Sequence, residues 1–369
     1  FAFLGAWTIG WNVIATMSSQ IVDVAVFTPA ASVGVLFFTG FSLLISNAYG
    51  VPASTSMTAV GAIVGLGLAT GTLNAALMFT ILSAWILAPL IAVFTGAVIG
   101  RYLYPYLDAT FAFGRLTDPL ITIDTRGTVP RLSVNQDISS RDLIGSILVV
   151  AIACYMGFSA GASNAANAVA PLVGSVTIDS SPAILLAVGA ISLGGFTIAR
   201  RTLATVGNDV TDLPILAALI VSTVGGTIIT ILSWFGIPAS LAVSTTSCII
   251  GLGWGRASRA RTIAEIATPS PFDEPTLEST TGALAPPTEN AADTAASPTV
   301  GELAEDETPD PDAQRVSQDR VPRIGDEDIE ELSAESLFNP AASARIVALW
   351  VITPTISVLG AYLLFSFFV

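Results

Sequence analysis

The chain reads as an all-α, polytopic membrane protein: two inverted-topology repeats with discontinuous helices or re-entrant hairpins, plus a disordered acidic segment. Three observations lead there. Of its 369 residues, 52% are hydrophobic and only 11% charged, and the mean hydropathy is +0.73; soluble domains carry roughly 25% charged residues. Asp23 is the only formal charge from Phe1 to Gly100, and Asp179 the only one from Leu143 to Ala199. Stretches this long, cut by Gly, Pro and Asn, are several membrane spans. Two hydroxyl clusters also recur in apolar surroundings, Ser54-Thr55-Ser56 before Gly61 and Ser244-Thr245-Thr246 before Gly251. Gly-Val-Pro (Gly50 to Pro52) introduces the first and Gly-Ile-Pro (Gly236 to Pro238) the second. Interrupted segments in matching positions of two halves point to a binding site at membrane depth.

The elements follow in order. Phe1 to about Val22 and Val24 to Ile45 are two apolar segments, followed by the turn Ser46 to Ser56 and a short apolar run to Thr70. Leu73 to Gly100 spans with tilt or a kink at Pro89, closing a first repeat over residues 1–100. Residues 101–142 form a polar connector with five Arg and five Asp. The second repeat, 143–261, holds Leu143 to Phe158, the small-residue stretch Ser159 to Val173, a span from Pro182 to Ala199, and Leu213 to Phe235. Its last piece, Ser240 to Gly253, is too short to cross a ~30 Å hydrocarbon core and reads as a half-helix. Residues 262–344 are rich in Pro, Ala, Thr, Asp and Glu and are expected to be disordered, because they cannot offset their ordering entropy. Asp326 to Leu337 has weak helical character. A closing span occupies 345–369, with Pro354 inside it.

Charge and rare residues narrow the function classes. The net charge is −14, but about nineteen of the 28 acidic residues lie between Ala264 and Ala344. All 14 basic residues are Arg, with no Lys and no His. Surplus acid without lysine fits a protein working in high salt, so a halophilic source is expected, with high-GC composition as the plain alternative. Cys154 and Cys248 sit in apolar segments and read as core residues rather than a disulfide or metal pair. Without histidine, Ser–Lys dyads or paired carboxylates in the spans, an intramembrane enzyme is disfavoured. Arg101, Arg200, Arg201, Arg256, Arg259 and Arg261 mark cytoplasmic ends.

Two constellations carry chemistry. Ser54, Thr55, Ser56, Ser244, Thr245 and Thr246 offer hydroxyls at turns expected to open helices, whose free N–H groups and partial positive charge suit an oxyanion. Caps and interhelical glue are the plain alternative. The second constellation is Gly161-Ala162-Ser163-Asn164-Ala165-Ala166-Asn167-Ala168. Asn164 and Asn167 share a helix face, and buried asparagines are expensive in lipid unless they bind something. The halves also match at Gly5-Ala6 with Gly10 against Gly189-Ala190 with Gly194, an offset of 184, while the hydroxyl clusters match at 190.

These motifs resemble the inorganic phosphate transporter (PiT) family, whose halves each carry Gly-Ala-Asn-Asp-x-Ala-Asn-Ala and Pro-Val-Ser-Thr-Thr-His elements. Pro52 to Gly61 and Ala242 to Gly251 are similar to the second element, Gly161 to Ala168 to the first, and Gly207 to Leu213 to a Gly-x-x-Ile-Thr-x-Leu stretch. The resemblance covers residues 1 to about 261. It implies a secondary transporter of inorganic phosphate in the cell membrane, cation-coupled through Na⁺ or H⁺, working by alternating access at a midplane site. Ser54, Thr55, Ser56, Ser244, Thr245, Thr246 and Asn167 would hold phosphate, and Ser163, Asn164 and Asn167 a cation. No cofactor is implied beyond a coupling Na⁺, no nucleic acid is expected, and a homodimer is compatible. Ser163 stands where the family has Asn, Asn164 where it has Asp, and Met57 and Ser247 where it has His. The loss of the carboxylate at Asn164 leaves another oxyanion such as sulfate as an alternative substrate, and a membrane receptor or scaffold with an acidic tail as an alternative class. A first-half counterpart of Gly161 to Ala168 would lie before Phe1. An N-terminally truncated chain, with half of its site open, is therefore expected.

Overall fold

The computed structural model describes residues 1–48, 53–111, 121–124, 131–134, 140–176, 178–199, 215–267 and 340–368. The turn Gly50 to Pro52, Arg200 and Arg201, Gly207 to Leu213, and Asp326 to Leu337 with most of the acidic segment lie outside the described residues.

The elements are α1 (Ala2–Thr8), α2 (Gly10–Ser19), α3 (Pro29–Ala48), α4 (Thr55–Thr70), α5 (Ala75–Val98), α6 (Tyr104–Phe111), α7 (Ser140–Ala160), α8 (Ala166–Gly174), α9 (Ser180–Gly194), α10 (Ile215–Trp234), α11 (Leu241–Ala267) and α12 (Pro340–Phe368). A small antiparallel hairpin, β1 (Ile121–Asp124) and β2 (Arg131–Val134), pairs Ile121 with Val134 inside the connector. Wider π-helical turns at Ile99–Leu103, Gly161–Ala165 and Gly195–Ala199 extend α5, α7 and α9. Among the described residues six helical runs are long and apolar enough to cross a membrane: Pro29–Ser46, Ala75–Thr110, Leu143–Gly174, Ser180–Thr197, Ile215–Trp234 and Ala348–Phe367. Their outer faces expose Phe79, Leu90, Phe94, Leu186 and Phe367, which suits hydrocarbon rather than water.

Local chemistry sets the boundaries. Asn74 accepts from the Leu77 N–H and opens α5, as short polar caps do. Gly71, at φ +68, closes α4 in the left-handed conformation that glycine adopts at least cost. Prolines inside the spans, Pro89 in α5, Pro171 in α8 and Pro354 in α12, do not end these helices.

The first apolar segment is two helices, broken at Ile9. Leu143 to Val173 is one continuous run, in which Gly161–Ala165 widens into a π turn. One expectation needs correction. The piece beginning at Ser240 does not stop at Gly253: α11 is 27 residues long and carries Arg256, Arg259 and Arg261 within it. Its length is supported by a close seam with α5. A Cβ on Gly251 would meet the Val93 carbonyl, and one on Gly255 the Ala97 carbonyl; Gly96 and Gly100 meet Cys248 and Leu252 in return. Such backbone proximity substitutes for the hydrophobic drive that lipid does not supply.

A second seam has the same construction. Gly61 and Gly65 of α4 lie against the Pro354 and Val358 carbonyls of α12, and Ser357 donates to the Thr58 carbonyl at 2.9 Å. Each helix that follows a Gly-x-Pro-Ala-Ser sequence, α4 and α11, is therefore backed by a long proline-bearing span. One buried cluster, including Ile14, Met17, Ile63, Leu66 and Ile184, surrounds α2, α4 and α8. Another, including Tyr104, Leu216, Ile220, Cys248 and Leu252, lies between α5, α10 and α11.

Candidate functional site

The site forms where α4 and α11 begin. Ser54 is the N-cap of α4, and its hydroxyl accepts from the Met57 N–H at 3.1 Å. The equivalent role at α11 belongs to Ser240, which accepts from the Val243 N–H at 3.2 Å. Gly236 (φ +72) makes the bend before it, with Asn12 and Thr16 where a side chain would go.

This corrects the register of the second cluster. The sequence pattern puts Ser244-Thr245-Thr246 at the turn; the helix starts one turn earlier, so these residues are already helical. The Ser244 N–H is used by the Ser240 carbonyl at 3.1 Å. Thr245 turns its hydroxyl back on the Leu241 and Ala242 carbonyls, at 2.9 and 3.2 Å, and its methyl lies against Gly225 of α10. Ser244 is buried and Thr246 half-buried in the same helix. Ser240 is the residue that the hydroxyl pattern misses, although Gly236-Ile237-Pro238-Ala239-Ser240 repeats Gly50-Val51-Pro52-Ala53-Ser54 with a single Val-to-Ile change.

The remaining sequence-predicted residues do converge. Thr55 donates to Asn164 Oδ1 at 2.7 Å. Asn167 Nδ2 donates to Ser56 Oγ at 2.9 Å and to Thr55 Oγ1 at 3.4 Å. Ser56 and Ser163 both donate to the Ala239 carbonyl, at 2.7 and 2.8 Å, and lie 3.3 Å from each other. Each hydroxyl has one proton. With those protons on Ala239, Ser56 can only accept from Asn167, which fixes the orientation of that amide. Asn167 Oδ1 is then left buried without a hydrogen-bond partner, at a cost of about 1–3 kcal/mol.

The π turn brings Asn164 and Asn167 to the same hydroxyl. The segment before it is pinned by α1 and α2: Gly5 fits against the Phe158 carbonyl, Gly10 against Ala162, and Gly161 against Ala2. Carbonyls at the end of α10 and in the turn before α11 are held by side chains from other elements. Asn12 Nδ2 donates to Trp234 O at 2.8 Å and Trp85 Nε1 to Pro238 O at 2.7 Å, while Ser56 holds Ala239. Backbone groups outside helices at membrane depth need such partners.

The assembly thus joins two capped helix starts, three further hydroxyls and two amides, with no formal charge in the network. Among the described residues no group of three or more His, Cys, Asp or Glu could hold a metal ion. Hydroxyl and amide groups gathered at helix starts inside a multi-pass membrane protein are chemically suited to a polar solute. The chain belongs to the phosphate transporter family, whose profile matches residues 1–269. That family consists of transporters, not enzymes.

The chain is also similar to a sulfate permease and a phosphate transporter. The chain is 31% identical over 254 residues to Sulfate permease CysP of Bacillus subtilis (strain 168), covering 69% of this chain and 64% of that protein. It is 23% identical over 354 residues to Inorganic phosphate transporter 2-1, chloroplastic, of Arabidopsis thaliana, covering 72% of this chain and 60% of that one. The chain thus spans less than two thirds of the length of either. A solved structure of a protein named "The sodium-dependent phosphate transporter" superposes with a TM-score of 0.61 at 16% identity, covering all of this chain and 87% of its own. At that identity it shows the fold alone.

Proposed function

We propose that this protein carries inorganic phosphate across the cell membrane as a secondary transporter, with a coupling cation. The observation that carries this reading is the meeting of the two capped helix starts: Ser56, two residues after the Ser54 cap, donates to Ala239, the residue before the Ser240 cap. Helix starts favour an anion through their unpaired N–H groups and partial positive charge. Ser54, Thr55, Ser56 and Ser240 are the proposed anion ligands. Ser244, Thr245 and Thr246 supply the helix behind them.

Asn164, Ser163 and Asn167 are the proposed cation side, with the unpartnered Asn167 Oδ1 as the oxygen waiting for a positive charge. The sodium dependence in the structural neighbour's name supports Na⁺ as that cation. In this reading two inverted repeats rock about the site, and each bond in the network is exchanged for one to substrate. A sulfate reading is supported by the similarity to the Bacillus permease.

Uptake of radiolabelled phosphate and sulfate by the chain in proteoliposomes, with and without a Na⁺ gradient, tests both. Phosphate accumulation that depends on the gradient is expected. Sulfate uptake unaffected by excess phosphate would overturn the phosphate reading, and uptake no faster than in empty liposomes would overturn transport.

A further inference from the structure

A second polar assembly lies away from the transport site, where α5 and α11 reach their far ends. Arg256 and Arg259 are three residues apart on α11 and share a face. Arg101, in the π turn after α5, donates from Nη1 to Ser258 Oγ at 2.9 Å, which places it at the same level. The Arg256 guanidinium sits over the buried Tyr104 ring, 4.3 Å from its centroid. Its Nε and Nη1 are buried and have no hydrogen-bond partner. Asp108, one turn beyond Tyr104, is the carboxylate on α6.

The cluster is mounted on the glycine seam of α5 and α11, so its arginines are held on a rigid pair of helices. The rim is a different kind of surface: Trp254 is 68% exposed and Tyr102 63%. Large amphipathic aromatics at helix ends favour the headgroup layer of a bilayer, and basic pockets between spans favour anionic headgroups. Arginine binds phosphate through paired, charge-assisted hydrogen bonds.

We propose that Arg101, Arg256 and Arg259, backed by Tyr104, form a binding site for the phosphate of an anionic phospholipid. Free inorganic phosphate shares that chemistry, but the aromatic rim favours the lipid. The site is independent of the transport reading, since none of its residues belongs to the hydroxyl and asparagine network.

The test uses the full chain in nanodiscs of phosphatidylcholine, with or without phosphatidylglycerol, reading retained lipid by mass spectrometry after extraction. Phosphatidylglycerol should be retained by the parent chain, and about tenfold less or weaker still by Arg101→Gln/Arg256→Gln. In phosphatidylcholine alone the variant should still unfold cooperatively, at a temperature lowered only by the lost Ser258 and Tyr104 contacts. If the double variant fails to fold, Arg101→Gln alone against Arg256→Lys carries the comparison, with retention expected only in the lysine variant. Equal retention by parent and variant overturns the site. Displacement of the lipid by excess inorganic phosphate assigns it to the free anion, against the proposal. Retention only after deletion of residues 268–339 makes the acidic segment the resident partner, and also overturns it.

Discussion

The hydroxyl of Ser56 donates to the main-chain carbonyl of Ala239 at 2.7 Å, across a sequence separation of 183 residues. That bond ties the first turn of α4 to the residue before the cap of α11. Ser163 donates to the same oxygen at 2.8 Å, so the Ala239 carbonyl joins both helix starts to the asparagine element.

Replacing Ser56 with Ala removes the donor to Ala239 and the acceptor for Asn167 together. The buried amide of Asn167 then loses its shorter bond, at a cost of about 1–3 kcal/mol. Initial phosphate uptake in proteoliposomes should fall about tenfold or more, with a lower unfolding temperature. Unchanged uptake would remove Ser56 from the site.

Ser240 and Ser244 are distinguished by the start of α11. Ser240→Ala deletes a cap worth about 1 kcal/mol and should lower both unfolding temperature and uptake. Ser244→Ala, inside the helix, should have the smaller effect on uptake. The opposite ranking would restore the cluster at Ser244 as the functional turn.

Asn164→Asp places a carboxylate 2.7 Å from the Thr55 hydroxyl, which Asn167 Nδ2 also reaches at 3.4 Å. A negative charge there should tighten the apparent affinity for Na⁺ by about tenfold, read from uptake at varied Na⁺ with a constant counter-ion. An unaltered Na⁺ dependence would place the cation elsewhere.

The seams give a prediction about folding alone. Gly251→Ala forces a methyl against the Val93 carbonyl and should cost about 1–3 kcal/mol, seen as a lower unfolding temperature in detergent. Gly189→Ala has nothing within 4 Å of the added carbon and should shift stability by about 0.5 kcal/mol or less. Equal losses would contradict the packing of α5 on α11.

Much of this is legible in residue order. The spans follow from hydropathy, and the asparagine element from polar residues where lipid penalises them. The register of the second turn is misleading because its hydroxyl triplet outweighs a better match. Gly65-Leu66-Gly67 and Gly251-Leu252-Gly253 share the offset of 186 that aligns Ser54 with Ser240. The error of four residues is about one helical turn, so side-chain periodicity alone does not expose it. The Ala239 carbonyl is invisible for another reason: a main-chain acceptor leaves no mark on residue type. The hairpin at 121–134 alternates apolar and polar residues in both strands, a signal masked by the charge of the connector around it.

The uncharged network of Thr55, Ser56, Ser163, Asn164 and Asn167 also governs how a substrate would arrive. Dipoles and hydroxyls act over a few ångströms, so such a site casts almost no field into the surrounding solution. It gains no electrostatic steering from a distance, and it has none for dissolved salt to screen. At a fixed Na⁺ concentration, its capture rate should stay nearly flat as an inert salt is added.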